Sequence, residues 1–246
     1  MRVAIIAITE EGNETAQELA LSLKESQVYF LSEPHALRRT VAEMFDRYEG
    51  LIFVMALGIV IRVIAPFIKS KHVDPAVVVV DESRRFAISA LSGHEGGANR
   101  LTNQVASILR AESVITTASE TMRRLIVGVG CRKGTSQEEI LEAIDQALKK
   151  GDCSREDIRC VATVDMKGDE PGLKEACITL GLPLRIVPMD QIKSFHGPYQ
   201  RSAFVKEKIG VEGVSEPCAL LAGRRTKLIV PKLKQGRVCV AIAREG

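Results

Sequence analysis

Leu51-Ile52-Phe53-Val54-Met55-Ala56-Leu57-Gly58-Ile59-Val60-Ile61-Arg62-Val63-Ile64-Ala65-Pro66-Phe67-Ile68 is a nearly unbroken apolar run. Its 18 residues reach about the minimum length for crossing a bilayer. However, Arg62 lies inside it, Gly58 divides it and Pro66 sits near its end, and a charge in hydrocarbon is costly. The run therefore predicts a buried strand at 51–57, a turn at Gly58 and a short helix. Similar apolar strands without alternation flank it at 2–8 and 76–80, with a closing strand at 114–117. Helical periodicity places helices at 15–26, where Leu19 and Leu23 share a face, and at 98–110, where Leu101, Val105, Ile108 and Leu109 do. Non-alternating strands separated by helices imply a parallel sheet covered on both faces.

Near 121–124 the pattern restarts. A strand at 125–129 leads to a helix whose start carries a capping box, Ser136 with Glu139. A strand at 159–164 follows, then a helix opening at Glu170-Pro171 and stopping at Gly181, and a third strand at 184–187. A helix at 216–221 and a hairpin, 228–231 with 238–243 turning at Gln235-Gly236, close the chain. The expected class is α/β, with two three-layer α/β/α domains, 1–121 and 122–246, mainly parallel sheets and a C-terminal β-hairpin.

Charge supports the division. The chain of 246 residues has 34 basic and 31 acidic side chains, net +3, but residues 1–122 carry −3 and the remainder +6. All six cysteines fall in the second half. An even overall balance and the absence of Trp argue against a nucleic-acid stripe. The apolar density excludes disorder, and six cysteines in 246 residues are too sparse for a disulfide scaffold. The N-terminal apolar run is too short for a signal peptide and ends at Glu10-Glu11. No cysteine pair has metal-site or redox spacing, so reduced thiols in a cytoplasmic protein, without a protein-held metal, are expected.

Candidate chemistry lies in loops assigned to the carboxyl ends of strands, where open α/β sheets build their sites. In Gly58-Ile59-Val60-Ile61-Arg62 the guanidinium offers a fork to a carboxylate or phosphate, or makes an internal ion pair. Leu91-Ser92-Gly93-His94-Glu95-Gly96-Gly97-Ala98-Asn99 leads into a helix whose N–H groups suit an anion. Its hydroxyl, imidazole and carboxylate are close in sequence, but a triad is made by fold geometry; a capped turn with a solvated His is the alternative. Gly128-Val129-Gly130-Cys131-Arg132-Lys133-Gly134-Thr135-Ser136 departs from both the dinucleotide fingerprint and the Walker loop, because its glycine spacing is wrong and Lys133 precedes its glycine. What remains is a dibasic, glycine-rich loop fit for carboxylates or phosphates. Cys131 is either a nucleophile activated by the helix end or a small core residue. In Asp165-Met166-Lys167-Gly168-Asp169-Glu170, Asp165 and Glu170 form a candidate acid–base pair and Lys167 an anion contact.

Together these loops resemble one family, the cobalt-precorrin-5A hydrolases of anaerobic cobalamin biosynthesis. The resemblance rests on the stretches just quoted, with Asp74-Pro75-Ala76-Val77-Val78-Val79-Val80-Asp81, Thr163-Val164-Asp165-Met166-Lys167, Glu170-Pro171-Gly172-Leu173 and Val214-Ser215-Glu216-Pro217-Cys218-Ala219-Leu220-Leu221-Ala222. The second half is also similar to a small stand-alone protein of the aerobic pathway. Two departures stand out: 121–124 leaves no room for the family's middle segment, and Glu95 stands where an apolar residue is commoner.

The resemblance implies hydrolysis of a δ-lactone on a cobalt-corrinoid, followed by loss of a two-carbon fragment as acetaldehyde. Cobalt belongs to the substrate, and no cofactor is implied. His94 is then the expected base, with Asp165 and Glu170 assisting proton transfer. Substrate contacts are expected from Gly58, Arg62, Asp81, Ser92, Gly93, Gly96, Gly97 and Asn99, with Arg62 and the Gly96–Gly97 amides together on acidic side chains or the oxyanion. In the second half they are expected from Gly128, Gly130, Cys131, Arg132, Lys133, Gly134, Thr135 and Lys167. The implied partners are the cobalt-precorrin, neighbouring pathway enzymes and a second copy of the chain, with neither nucleic acid nor membrane. The missing segment leaves a second reading open, a carrier that binds the corrinoid intermediate without turning it over.

Overall fold

Val3–Ala7 (β1), Gly50–Val54 (β3) and Ala76–Val80 (β4) are buried at every position, as strands covered on both faces must be. The computed structural model describes residues 1–32, 36–199 and 213–246, and it divides into two units, Met1–Thr117 and Ala118–Gly246. In the first unit the sheet order is β2-β1-β3-β4-β5-β6, with β2 at Ser26–Phe30, β5 at Phe86–Leu91 and β6 at Glu112–Val114. All neighbouring pairs are parallel except β4 with β5. One face carries α1 (Glu10–Ser22) and α4 (Ala98–Leu109), whose Ala16, Leu19, Leu101 and Val105 pack on Val3, Ile5 and Ile52. The other carries α2 (Ala36–Met44) and α3 (Leu57–Ile64), with Leu37, Val41, Val60 and Ile64 against Ala4, Ile6, Leu51 and Phe53.

The helix expected at 15–26 begins earlier, because the Thr9 hydroxyl caps it by accepting the Gly12 N–H at 3.1 Å. Glu10 and Glu11 stand in its first turn, where negative charge is favoured. Residues 58–62, read as a loop, lie within α3. The expected strand at 114–117 is β6, which stops at Val114.

In the second unit, α5 (Ala118–Thr121) precedes a five-stranded sheet of order β10-β11-β7-β8-β9. Its strands are β7 (Leu125–Cys131), β8 (Ile158–Val164), β9 (Leu184–Val187), β10 (Lys227–Gln235) and β11 (Val238–Arg244). The first three run parallel, and the hairpin adds β11 antiparallel to β7 and β10 antiparallel to β11, so both sheets of the molecule are mixed. Helices α6 (Gln137–Lys150) and α7 (Pro171–Leu180) cover one face through Ile140, Ile144 and Leu173. The capping box of Ser136 with Glu139 and the left-handed Gly181 after α7 are both formed. The other face holds α8 (Met189–Ser194) and α9 (Ser215–Leu221). Among the described residues no helix is long and apolar enough to cross a membrane.

Gly128 sets how close α9 comes to β7. A Cβ there would overlap the Ser215 carbonyl oxygen and lie 2.7 Å from the Ala219 nitrogen, both backbone atoms. Gly128→Ala should therefore destabilise the second unit by about 3 kcal/mol or more, the range of severe overpacking. Gly134→Ala, which meets nothing within 4 Å and carries only the strain of φ +70°, should cost about 1 kcal/mol. Urea unfolding of the two variants beside the parent chain checks both values.

Candidate functional site

The reversal at β5 decides where the first unit's loops stand. Val77 pairs with Leu91 and Val80 with Ala87, so β5 ends at the amino edge of the parallel strands. Residues 92–99 therefore lie at that edge, beside the loop that enters β4, where Lys71 Nζ meets Glu95 Oε1 at 2.5 Å. Gly58, Arg62 and Asp81 follow β3 and β4 and lie at the opposite, carboxyl edge. Five-residue strands separate the two edges by roughly 16 Å. The expectation that all candidate loops share the carboxyl edge is thus corrected: Arg62 and the 96–97 amides do not come together, because one strand between them runs backward.

At the carboxyl edge Arg62 is exposed and folds back toward its own helix start, its guanidinium 3.6 Å from where a Gly58 Cβ would sit. Asp81 serves the turn. Its carboxylate accepts the Phe86 N–H at 2.7 Å and an Arg85 guanidinium N–H at 3.0 Å. Burial alone would raise its pKa, but these bonds outweigh it and hold the carboxyl below its usual range.

At the amino edge His94 is exposed, while Ser92 and Asn99 are buried. Asn99 ties the loop together: its Oδ1 accepts the Ser89 hydroxyl at 2.9 Å and its Nδ2 donates to Thr117 at 2.9 Å. Gly93 and Gly96 leave no space for a side chain, the former against Asn99 and Thr117 and the latter against Ser92. Gly97, at φ +83°, precedes α4. Four of these residues, Ser92, Gly93, Gly96 and Asn99, thus build the loop that presents His94. Glu95 is held below the usual carboxylate range, chiefly by the Lys71 hydrogen bond.

In the second unit the loops after β7 and β8 do converge at one carboxyl edge. Glu170 joins them: Oε2 accepts the Gly134 N–H at 3.1 Å and Oε1 the Lys167 ammonium at 2.8 Å. Its side chain is 11 % exposed. The Lys167 bond, helped by Gly134 and opposed by burial, keeps this carboxyl ionised below its usual range. With one oxygen on Lys167 and the other on the Gly134 N–H, this carboxylate also positions the two loops. Asp165 is exposed and accepts the N–H groups of Met166 at 2.7 Å and Met189 at 3.1 Å, linking the loops after β8 and β9. Thr135 is buried and donates to the Arg132 carbonyl at 2.7 Å. Gly130 faces Val214, where a Cβ would make ordinary contact at 3.4 Å, unlike Gly128 against Ser215.

Burial is the largest influence on Cys131 and pushes its thiol up, although Lys167 and Arg237 pull it down. Arg132 and Lys133 are exposed. Beside them stands Arg237, which belongs to none of the loop motifs of the sequence. Because β11 runs antiparallel to β7, the hairpin turn arrives at the same edge, and the signal for it was the basic residue following Gln235-Gly236. Among the described residues no cluster of His, Cys, Asp and Glu has the form of a metal site.

Two family models match the chain. The one described as cobalamin synthesis G N-terminal covers residues 39–120, and the one described as cobalamin synthesis G C-terminus covers 125–243. The chain belongs to the cobalamin synthesis G family. A family relative from Priestia megaterium, named cobalt-precorrin-5A hydrolase, is 27 % identical, with 98 % of this chain and 94 % of the relative covered. That alignment runs over 352 positions against 246 residues here, so the relative carries residues that this chain lacks. Another relative, named probable cobalt-precorrin-5A hydrolase, from Methanocaldococcus jannaschii, is 25 % identical, with 100 % and 99 % covered. The crystal structure of CobE, a protein from the cobalamin (vitamin B12) biosynthetic pathway, is 28 % identical over 49 % of this chain and 89 % of its own, with a TM-score of 0.47.

Glu170 gives a pH-dependent test. Its folded pKa is depressed, so its contribution to stability is complete above the unfolded value, about 4.3. That contribution is lost as pH falls through the folded one. Glu170→Gln should lower the melting temperature at pH 7, and the difference from the parent should shrink progressively below about pH 4.3. Thermal melts from pH 7 to pH 3 measure it; a gap that stays constant would rule out the ionised clamp.

Proposed function

We propose that this chain is a cobalt-precorrin-5A hydrolase, opening the δ-lactone of a cobalt-corrinoid in anaerobic cobalamin biosynthesis, with release of acetaldehyde. The observation that carries this reading is that both halves match the same family, 39–120 and 125–243, with relatives of that name aligned along nearly the whole chain. The basic edge of the second unit supports it, because a corrinoid precursor bears many carboxylates and Arg132, Lys133 and Lys167 are suited to them. The 1–121 and 122–246 division assigned from the sequence is kept, and each domain carries its own candidates: His94 in the first, the carboxylate-binding loops in the second.

Lactone opening needs an activated water, donors for the developing oxyanion and a proton for the departing oxygen. His94 is exposed on a loop fixed by Asn99 and takes the water's proton. Arg132, Lys133 and Lys167 hold carboxylates at the substrate's periphery, and Glu170 keeps Lys167 and the 134 amide in place for that task. In the second domain Asp165 is a candidate for returning a proton. The same reading places the protein in the cytoplasm.

Incubating the purified chain with cobalt-precorrin-5A should release one equivalent of acetaldehyde, read by coupled NADH oxidation. A corrinoid absorbance change without acetaldehyde would replace the hydrolase reading with that of a carrier. His94→Ala should lose about a hundredfold or more in kcat, the usual scale of general-base catalysis. Full turnover by that variant would remove His94 from the role.

A further inference from the structure

We propose that Arg237 is a carboxylate-binding residue for the corrinoid, an inference that rests on the hydrolase reading and names a contact that reading does not contain. The hairpin turn between β10 and β11 delivers Arg237 to the carboxyl edge of β7, because Val238 pairs with Cys131. Two hydrogen bonds fix it there. Its backbone carbonyl accepts the Arg132 N–H at 3.1 Å, and its Nη2 donates to the Lys133 carbonyl at 2.6 Å. The dibasic loop is therefore held from the hairpin side by Arg237 and from the α7 side by Glu170 on Gly134.

The charge arrangement points to an anionic ligand. Arg132, Lys133 and Arg237 are all exposed, and among the described residues none of them forms an ion pair. Glu170, on the same edge, is already engaged by Lys167 and Gly134. A guanidinium has five donors, and the Lys133 carbonyl takes one of them. A residue needed only to bolt the loop would not require a permanent charge beside two others of the same sign, since like charges repel. An incoming carboxylate removes that repulsion and receives a planar two-donor fork, the geometry in which arginine surpasses lysine.

Two substitutions separate the roles. Arg237→Gln keeps an amide donor for the Lys133 carbonyl and loses the charge; Arg237→Lys keeps the charge and loses the fork. KM and kcat are measured by acetaldehyde release, and Kd by titrating the corrinoid's absorbance, each from low to high salt. The expected result for Arg237→Gln is a rise of about tenfold in both KM and Kd, the scale of one charge-assisted contact. Its kcat should stay within about twofold and the salt dependence of Kd should be shallower. Arg237→Lys should recover most of the lost affinity. An unchanged KM, Kd and salt dependence in Arg237→Gln would overturn the proposal. So would equal damage to kcat in both variants together with a lowered Tm, which would mark a loop bolt alone. A wild-type chain that binds the corrinoid without releasing acetaldehyde defeats the hydrolase reading while the Kd comparison still tests Arg237; one that does not bind defeats both.

Discussion

The carboxylate of Asp81 reverses the chain after β4, and the first unit's functional geography follows from that turn. By accepting the Phe86 N–H and an Arg85 guanidinium N–H, it fixes a tight connection that includes Arg84 in the left-handed region at φ 57°. The next strand then runs antiparallel, and the glycine-rich loop after it emerges at the sheet's amino edge instead of beside Arg62. One hydrogen-bonded turn thus separates two groups of polar residues that an all-parallel sheet would have collected at one edge.

The second unit solves the opposite problem, bringing separate loops together. Parallel β7 and β8 place their loops at the same edge, and the antiparallel β11 adds its hairpin turn there. Glu170 and Arg237 then tie those loops to one another through backbone groups, the Gly134 N–H and the Lys133 carbonyl. Such ties fix the backbone that carries the cationic side chains before a ligand arrives, and this reduces the ordering cost of binding. The close seating of α9 on β7 at Gly128 supports the same edge from the opposite face.

Much of this was legible because it is local. The buried strand 76–80 and the strand 184–187 coincide with β4 and β9, and the capping box at Ser136 and the stop at Gly181 depend only on residues a few positions apart. By contrast, β2 is a half-buried edge strand, and β5 mixes Ser89 and small residues with exposed Phe86, so neither shows an apolar run. The site residues divide the same way. Lys167 and Glu170 are four-residue-loop neighbours in sequence, whereas Arg237 reaches Lys133 across 104 positions.

By itself the sequence determined the α/β class, the two halves of opposite charge, the helix caps and the family, since composition, periodicity and motif order are properties of the chain read along its length. Strand direction was decided only by the tertiary structure. A short apolar segment satisfies its side chains equally well pointing either way, and the choice is made by hydrogen bonds to a neighbouring strand and by the turn that precedes it. That choice sent His94 to the amino edge of one sheet and brought Arg237 to the carboxyl edge of the other.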